Sequence, residues 1–194
     1  MRMRQYAGAL SGLLLGACAN TVVPPQTPDN PVPVFLLDHG RHASLVLARD
    51  YGITRYSYGH WDYYARNRTG ALRASGTLFG DDQAGLGRRQ LPGPADLRNV
   101  RRRVLVPIQH AWRIEVPAAR AATLSRRLDG IFRANLASRL DNPLYDLEFV
   151  HHPEPYGVDH NSNHVTGEWL RALGCEVDMG GPFSIWTIVP RDAR

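Results

Sequence analysis

The sequence contains no lysine, and all 23 residues of the Lys and Arg class are arginine. It has only two cysteines in 194 residues. Hydrophobic residues make up 43% and charged residues 21% of the chain, which suits one packed domain and excludes disorder of the whole protein. The same composition excludes collagen-like, coiled-coil, disulfide-scaffold and polytopic membrane proteins. A basic set made only of arginine is typical of a GC-rich coding bias.

The positive charge of the chain is small and scattered. The formal net charge is +5, and loss of Arg2 and Arg4 with a leader leaves 21 arginines against 18 acidic residues, a net charge of +3. A nucleic-acid interface needs a concentrated basic face, so we expect no nucleic-acid partner.

The first residues have the form of a cleaved lipoprotein signal. Arg2 and Arg4 form a charged start, and a short apolar run to Leu15 is too short to span a bilayer as a mature helix. Residues 15–18 (LGAC) match a lipobox, which predicts a signal peptide over 1–17 and acylation of Cys18. The alternative is an ordinary secretory signal with an incidental cysteine.

The position of Cys18 also predicts where the protein resides. Ala19 follows the cysteine, and in enteric-type sorting this indicates the outer membrane, with the domain facing the periplasm. Acyl chains on Cys18 would anchor a domain without any transmembrane helix. Cys175 is then left without an intrachain partner, and we expect it to be a small buried side chain beyond a helix end.

The mature chain divides into a tether and one domain. Residues 18–33 are proline-rich and predict an extended tether, and residues 34–194 predict a single domain. Strands are expected over the ranges 34–37, 43–48, 53–58, 103–108, 112–116 and 185–189. The range 70–94, rich in Gly, Asp and Pro, predicts a long surface excursion with at most one short helix.

Two helices complete the expected fold. Apolar residues recur at helical spacing from Pro117 to Leu140, which predicts one long amphipathic helix. A second helix is expected from Asn161 to Leu173, with Gly174 ending it. Strands and helices that do not alternate regularly indicate an α+β fold.

His42 and Ser162 are the candidate catalytic residues. His42 opens the predicted strand 43–48, although a lone histidine there is commonly structural. Ser162 starts the second helix, where free backbone N–H groups favour developing negative charge. The simple alternative is that Asn161, Ser162 and Asn163 are only helix-capping residues.

Three segments resemble a bacterial family of conserved hypothetical proteins from urease gene regions. Residues 39–47 (HGRHASLVL) resemble its Asn/His-Gly-Trp-His-Thr-Asp/Gly-Leu-Val-Leu pattern, and residues 59–64 (GHWDYY) resemble its Gly-Trp-Gly-Asp-x-x-Phe-Tyr segment. Residues 161–165 (NSNHV), running into 169–174, are similar to its Asn-Cys-Asn-Thr-Trp segment and the helix that follows. The order and spacing agree over most of the expected domain.

The resemblance implies a permuted papain-like fold of NlpC type, with an antiparallel sheet packed against two main helices. His42 would be the base and Ser162 would occupy the nucleophile position, with helix-terminal N–H groups holding the oxyanion. Asp62 or His60 would orient the imidazole. The implied chemistry is acyl transfer, or amide or ester hydrolysis, on a peptidoglycan peptide or an acyl lipid.

This sequence departs from the family pattern at the nucleophile, because serine stands where the family has cysteine. A hydroxyl cannot be ionised as a thiol can, and it needs a well-oriented base. Three interpretations follow: a serine hydrolase on this scaffold, a catalytically inactive binding protein of the envelope, or a mistaken alignment.

Two other classes of site are compatible with the histidines. His42-Ala43-Ser44 and His164-Val165-Thr166 both fit the His-x-Ser/Thr signature of two-histidine phosphoesterases. Four histidines also crowd within fourteen residues, which raises metal binding as an idea, but no metal-ligand motif supports it: His151, His152, His160 and His164. There is no Gly-rich phosphate loop, and we expect no organic cofactor.

Overall fold

The computed structural model describes residues 19–49, 51–68, 82–180 and 185–191. The expected signal peptide over 1–17 and the expected acylation site at Cys18 lie outside the described residues. None of the helices in these ranges combines the length and the apolarity needed to cross a bilayer.

A seven-stranded antiparallel sheet forms the body of the protein, with the strand order β6-β2-β3-β4-β5-β8-β7. Its members, in chain order, are β2 (Pro31–Asp38), β3 (Ala43–Arg49), β4 (Gly52–His60), β5 (Ala84–Leu91), β6 (His110–Pro117), β7 (Leu140–Asn142) and β8 (Leu147–His151). The predicted strands 34–37, 43–48, 53–58 and 112–116 are confirmed within it.

Helices cover both faces of the sheet. The longer helices α2 (Ala118–Ala134) and α3 (Ser162–Ala172) pack on one face, in the main core with Leu36, Leu45 and Tyr56. The short helix α1 (Leu97–Arg103) packs on the other face, where Val100 contacts a smaller cluster. The fold is therefore mixed α+β, with a large antiparallel sheet and few helices.

A second, three-stranded sheet lies in part within the range expected to be a tether. β1 (Asn20–Val23) is its central strand, paired in parallel with β10 (Trp186–Ile188) and antiparallel with β9 (Glu176–Asp178). Val22 and Val23 are fully buried. The folded part thus begins well before Val34, because these valines have core partners far along the chain.

Helix α2 is shorter than its apolar spacing suggests. Leu124, Leu128 and Phe132 are buried on the sheet, but the helix ends at Ala134. Leu136 lies in a short 3₁₀ turn and Leu140 begins β7, and both remain largely exposed. The periodic pattern continues past the point where the sheet offers apolar partners. Helix α3 matches its expected range, and Gly174 with φ 96° follows its end.

The strand predicted over 103–108 is wrong. Arg103 is the last residue of α1, whose start is capped by the Asp96 carboxylate accepting from Asn99 N at 2.7 Å. Val100 and Val104 both face the smaller cluster, and residues 104–109 form an irregular connection rather than a strand. The strand predicted over 112–116 is present within β6, which pairs with β2.

The surface excursion predicted over 70–94 is wrong for its second half, where β5 is an interior strand between β4 and β8. Its glycines make room for aromatic neighbours. A Cβ on Gly87 would lie 2.8 Å from Phe149 Cε1, and one on Gly85 would lie 3.1 Å from Trp61 Cε3. The strand is glycine-rich because large side chains press on it, not because it is a loop.

Candidate functional site

A tight connection between β2 and β3 brings two histidines together. The Gly40 N–H donates to Asp38 Oδ1 at 2.7 Å, and His39 N donates to the His42 carbonyl at 3.0 Å. Gly40 has φ 90°, a conformation that favours glycine. The His39 and His42 rings consequently stack, with centroids 5.0 Å apart.

Both ring nitrogens of His39 have partners within the protein. Nδ1 lies 2.7 Å from the Pro107 carbonyl and must donate to it, so Nε2 accepts from the Ser44 hydroxyl at 2.8 Å. Burial, aided by the charge of Arg55, lowers the pKa of His39 to about 4. His39 is therefore a neutral, fixed support for the ring stacked on it.

Arg55 lies directly behind the histidines and is fully buried. Its Nε donates to Ser44 Oγ at 3.0 Å and its Nη1 donates to the Tyr145 carbonyl at 3.2 Å. Burial lowers the pKa of Arg55 to about 10, although Asp146 opposes this effect. The guanidinium thus stays charged at neutral pH and makes the site electropositive.

His42 differs from His39 because no side chain or backbone group of the described residues hydrogen-bonds to its imidazole. Its ring lies 5.0 Å from that of Tyr64 and 5.9 Å from that of Tyr145, and only 8% of the residue is exposed. Burial, then the neighbouring His39 and Arg55, lower the pKa of His42 to about 3. At neutral pH the ring offers one donor and one acceptor.

An open cleft of about 420 Å³ gives access to this ring. We call it the His42 cleft, and its described lining is His39, Gly40, Arg41, His42, Tyr63, Tyr64, Gln109 and Tyr145. Burial and neighbouring phenols raise the pKa of Tyr64, and the nearby Arg41 guanidinium acts in the opposite direction. None of these lining residues is acidic.

Ser162 occupies the first position of α3, as predicted, and is 4% exposed. The preceding Asn161 caps the helix, because its Oδ1 accepts from Asn163 N at 2.9 Å and from His164 N at 3.2 Å. Burial raises the pKa of Tyr156, and hydrogen bonds from the backbone and side chain of Ser162 lower it in part.

The structure does not bring His42 and Ser162 together. Ala43 and Leu45 share the core of α3, whereas Val46 belongs to the cluster on the other face of the sheet. Ser44 contacts Arg55, which pairs across the strands with Val46 and so shares that second face. Strand alternation places His42 on the same face as Ser44 and Val46. The ring contacts of His42 are to His39, Tyr64 and Tyr145, and among the described residues none of them joins it to α3.

The two residues proposed to orient the imidazole have other partners. Asp62 pairs with Arg66 at 3.2 Å and with Arg68 at 3.1 Å; burial acts to raise its pKa, but these arginines hold it below the ordinary value. His60 Nε2 lies 3.1 Å from Asp82 Oδ2, and its Nδ1 accepts from Tyr63 N. Neither residue hydrogen-bonds to His42.

A two-histidine phosphoesterase site would need His42 and His164 to lie together. His164 lies on α3, whereas His42 lies on the opposite face of the sheet. Thr166 donates to the Ser162 carbonyl at 2.8 Å within that helix. His160 contacts Tyr58 Oη at 2.9 Å and Glu154 at 3.2 Å. In the parts of the chain that the structure describes, no three His, Cys, Asp or Glu side chains are grouped to hold a metal ion.

Sequence reasoning missed Arg55, Gln109 and Tyr145. The signal for Arg55 is an arginine in the middle of an otherwise buried strand, a position that needs polar partners. Tyr63 and Tyr64 line the His42 cleft, whereas Tyr56 and Tyr58 are core residues. The expectation of a buried Cys175 is confirmed, and burial raises its pKa to about 12.

Comparison with known proteins gave no relative for this chain. No family model, no curated protein and no solved structure matches it.

Proposed function

We propose that the protein is a catalytically inactive binding domain of permuted papain-like type, which takes a small ligand in the His42 cleft. The chain order supports the permuted relationship, since the histidine-bearing strand comes first and the capped helix comes later and packs on β3 and β4. Serine at position 162, in place of the cysteine of the resembling family, supports the loss of catalysis.

The observation that carries the proposal is the contrast between His42 and Ser162. A serine nucleophile needs a base within hydrogen-bond reach. No histidine or carboxylate hydrogen-bonds to the Ser162 hydroxyl among the described residues, and strand alternation places His42 on the opposite face of the sheet from α3. The His42 ring, by contrast, accepts no hydrogen bond from the described residues and donates none to them, and it borders an open cleft of a size suited to a small molecule.

Covalent labelling with a fluorophosphonate tests this proposal. We expect no adduct on Ser162 when the intact chain is treated with the probe and digested for mass spectrometry. An adduct on Ser162 that disappears in His42→Ala would overturn the proposal and restore a serine hydrolase. Ser138→Ala is the matched control, because Ser138 is a serine in a short turn away from the cleft.

We further propose that the protein is a lipid-anchored component of the bacterial cell envelope, held to the outer membrane by acylated Cys18. The lipobox over 15–18 and the signal-like segment before it support this localisation. Peptidoglycan peptides and acyl lipids are then the two ligand sources within reach of the domain.

Metabolic labelling with palmitate tests the anchor, and the two cysteines make a matched pair. Cys18→Ser should abolish incorporation of the label and move the protein into the aqueous phase of a detergent partition. Cys175→Ser should leave both unchanged. Persistence of the label in Cys18→Ser would refute the proposed anchor.

A further inference from the structure

The His42 cleft carries positive charge that its lining does not neutralise. Arg41 is exposed at its rim and forms no ion pair with any described residue. Arg55 lies buried behind it, and the carboxylate that acts on Arg55, Asp146, is already held by Arg89 at 2.7 Å and by Leu105 N at 3.1 Å. The carboxylate of Asp38, next to the cleft, is buried and accepts from the Gly40 N–H. The exposed guanidinium of Arg41 is therefore the charge that a ligand in the cleft meets first, and it attracts anions.

Three phenols stand beside Arg41. The ring centroids of Tyr63 and Tyr64 lie 4.8 Å apart, and those of Tyr64 and Tyr145 lie 5.1 Å apart. Both pairs are packed edge to face. Arg41, Tyr64 and Tyr145 line the same cleft, so a ligand there can contact the guanidinium and both phenols. Protonated phenols donate hydrogen bonds, as a bound anion requires.

The floor of the cleft holds an imidazole that is without a hydrogen-bond partner among the described residues. His42 is more than nine-tenths buried, and the stacked ring of His39 supports it from behind. The ring nitrogens of His42 are not among the buried unpaired atoms of the described residues, so they face the cleft and can hydrogen-bond to a ligand bound there.

We propose that the His42 cleft binds a small organic monoanion. Its carboxylate lies against Arg41 and the hydroxyls of Tyr64 and Tyr145, and its planar body lies on the aromatic rings and on His42. This inference rests on the proposed binding function and names the chemical class of ligand.

The number of available donors favours a carboxylate over a phosphate. The Arg55 guanidinium already contacts Ser44, the Tyr145 carbonyl and His39 Nε2, at 3.0, 3.2 and 3.4 Å. Arg41 is therefore the one cation of the described lining with free donors, and a single guanidinium matches a carboxylate in a bidentate pair.

Benzoate and benzamide are the probes, because they share a planar ring and differ in the charge of one group. Titration of the intact protein followed by NMR should show benzoate binding about tenfold more tightly than benzamide. Arg41→Gln should remove this preference. Arg101→Gln, which changes an exposed arginine on α1 outside the cleft, should preserve it.

Tyr145→Phe provides a second variant that keeps the ring and removes the hydroxyl. It should weaken benzoate binding several-fold and leave benzamide binding nearly unchanged. Equal affinity for the two probes in the unmodified protein would overturn the carboxylate site, and so would binding of neither. The proposed loss of catalysis fails separately, through labelling of Ser162 by the fluorophosphonate.

Discussion

At the scale of single residues, environment decides what each histidine can do. His39 and His42 are three positions apart, yet within the part of the chain that the structure describes both nitrogens of His39 have hydrogen-bond partners and those of His42 have none. Both are neutral at physiological pH because burial next to Arg55 disfavours a second positive charge. A neutral ring of such low basicity is suited to hydrogen bonding with a ligand rather than to proton abstraction.

The lowered pKa of His42 predicts a dependence of stability on pH. The unfolded chain protonates His42 near pH 6.5, whereas the folded protein does so only near 3. Between these values the unfolded state binds more protons, so the free energy of unfolding falls as the pH falls, by about 1.4 kcal/mol per pH unit for this group. Above pH 6.5 the effect vanishes.

The variant His42→Phe should make that dependence shallower. Urea denaturation of both proteins at about pH 7.5 and about pH 5 measures the free energy of unfolding. We expect the loss between the two pH values to be smaller in the variant, because one titrating group has been removed. An identical loss in both proteins would show that His42 is not neutral in the fold.

At the scale of elements, strand β5 shows how a glycine-rich segment becomes part of a sheet interior. Gly87 pairs with Ser57 on one side and with Phe149 on the other. Its missing side chain leaves the space that Phe149 and Leu147 fill.

Gly87→Ala and Gly130→Ala should have opposite effects on stability. A Cβ at Gly87 would come within 2.8 Å of Phe149, so we expect a loss of about 1–3 kcal/mol from overpacking. A Cβ at Gly130, within α2, would meet nothing within 4 Å, and we expect a gain of about 0.5–1 kcal/mol from helix propensity. Thermal unfolding of both variants measures the difference, and a stabilised Gly87→Ala would contradict the tight packing.

The start of α3 depends on the side chain of Asn161. Asn161→Ala removes the acceptor for two backbone N–H groups and should cost about 1 kcal/mol of unfolding free energy. Asn161→Asp retains a capping oxygen and should recover most of the loss. If aspartate were no better than alanine in chemical denaturation, the cap would not be what stabilises this helix.

At the scale of the whole molecule, the N-terminal strand β1 joins two segments from the other end of the chain. Its partners β9 and β10 lie more than 150 residues later, and Val22 enters the same core as Trp169 and Leu45. A domain that began at Val34 would leave this face of the core uncovered.

Val22→Asp should therefore destabilise the protein strongly, whereas Thr21→Asp should not. Val22 is fully buried, so an aspartate there would place a charge in the core and should cost about 3 kcal/mol or more. Thr21, its neighbour, is partly exposed and should tolerate the change within about 1 kcal/mol. Similar stability of the two variants in urea would show that β1 is only a peripheral tether.

Local sequence patterns were sufficient for the features that depend on neighbouring residues. The Asn-Ser-Asn start of α3 follows from capping chemistry, the strands at 43–48 and 53–58 from short apolar runs, and the α+β class from their irregular order. The buried environment of Cys175 follows from an apolar helix end. Each of these rests on interactions within a few positions of the chain.

Only the tertiary structure decided which face of the sheet each residue occupies. Side chains on a strand alternate between two faces, and the sequence does not state which face the long helices cover. Because α2 and α3 cover one face, His42 and Ser162 lie on opposite faces and Arg55 is buried next to the histidines. Pairing with β9 and β10 places β1 in the core. The sequence indicated His42 but not Arg55, Gln109 or Tyr145, because their grouping around His42 depends on contacts between segments that are distant in sequence.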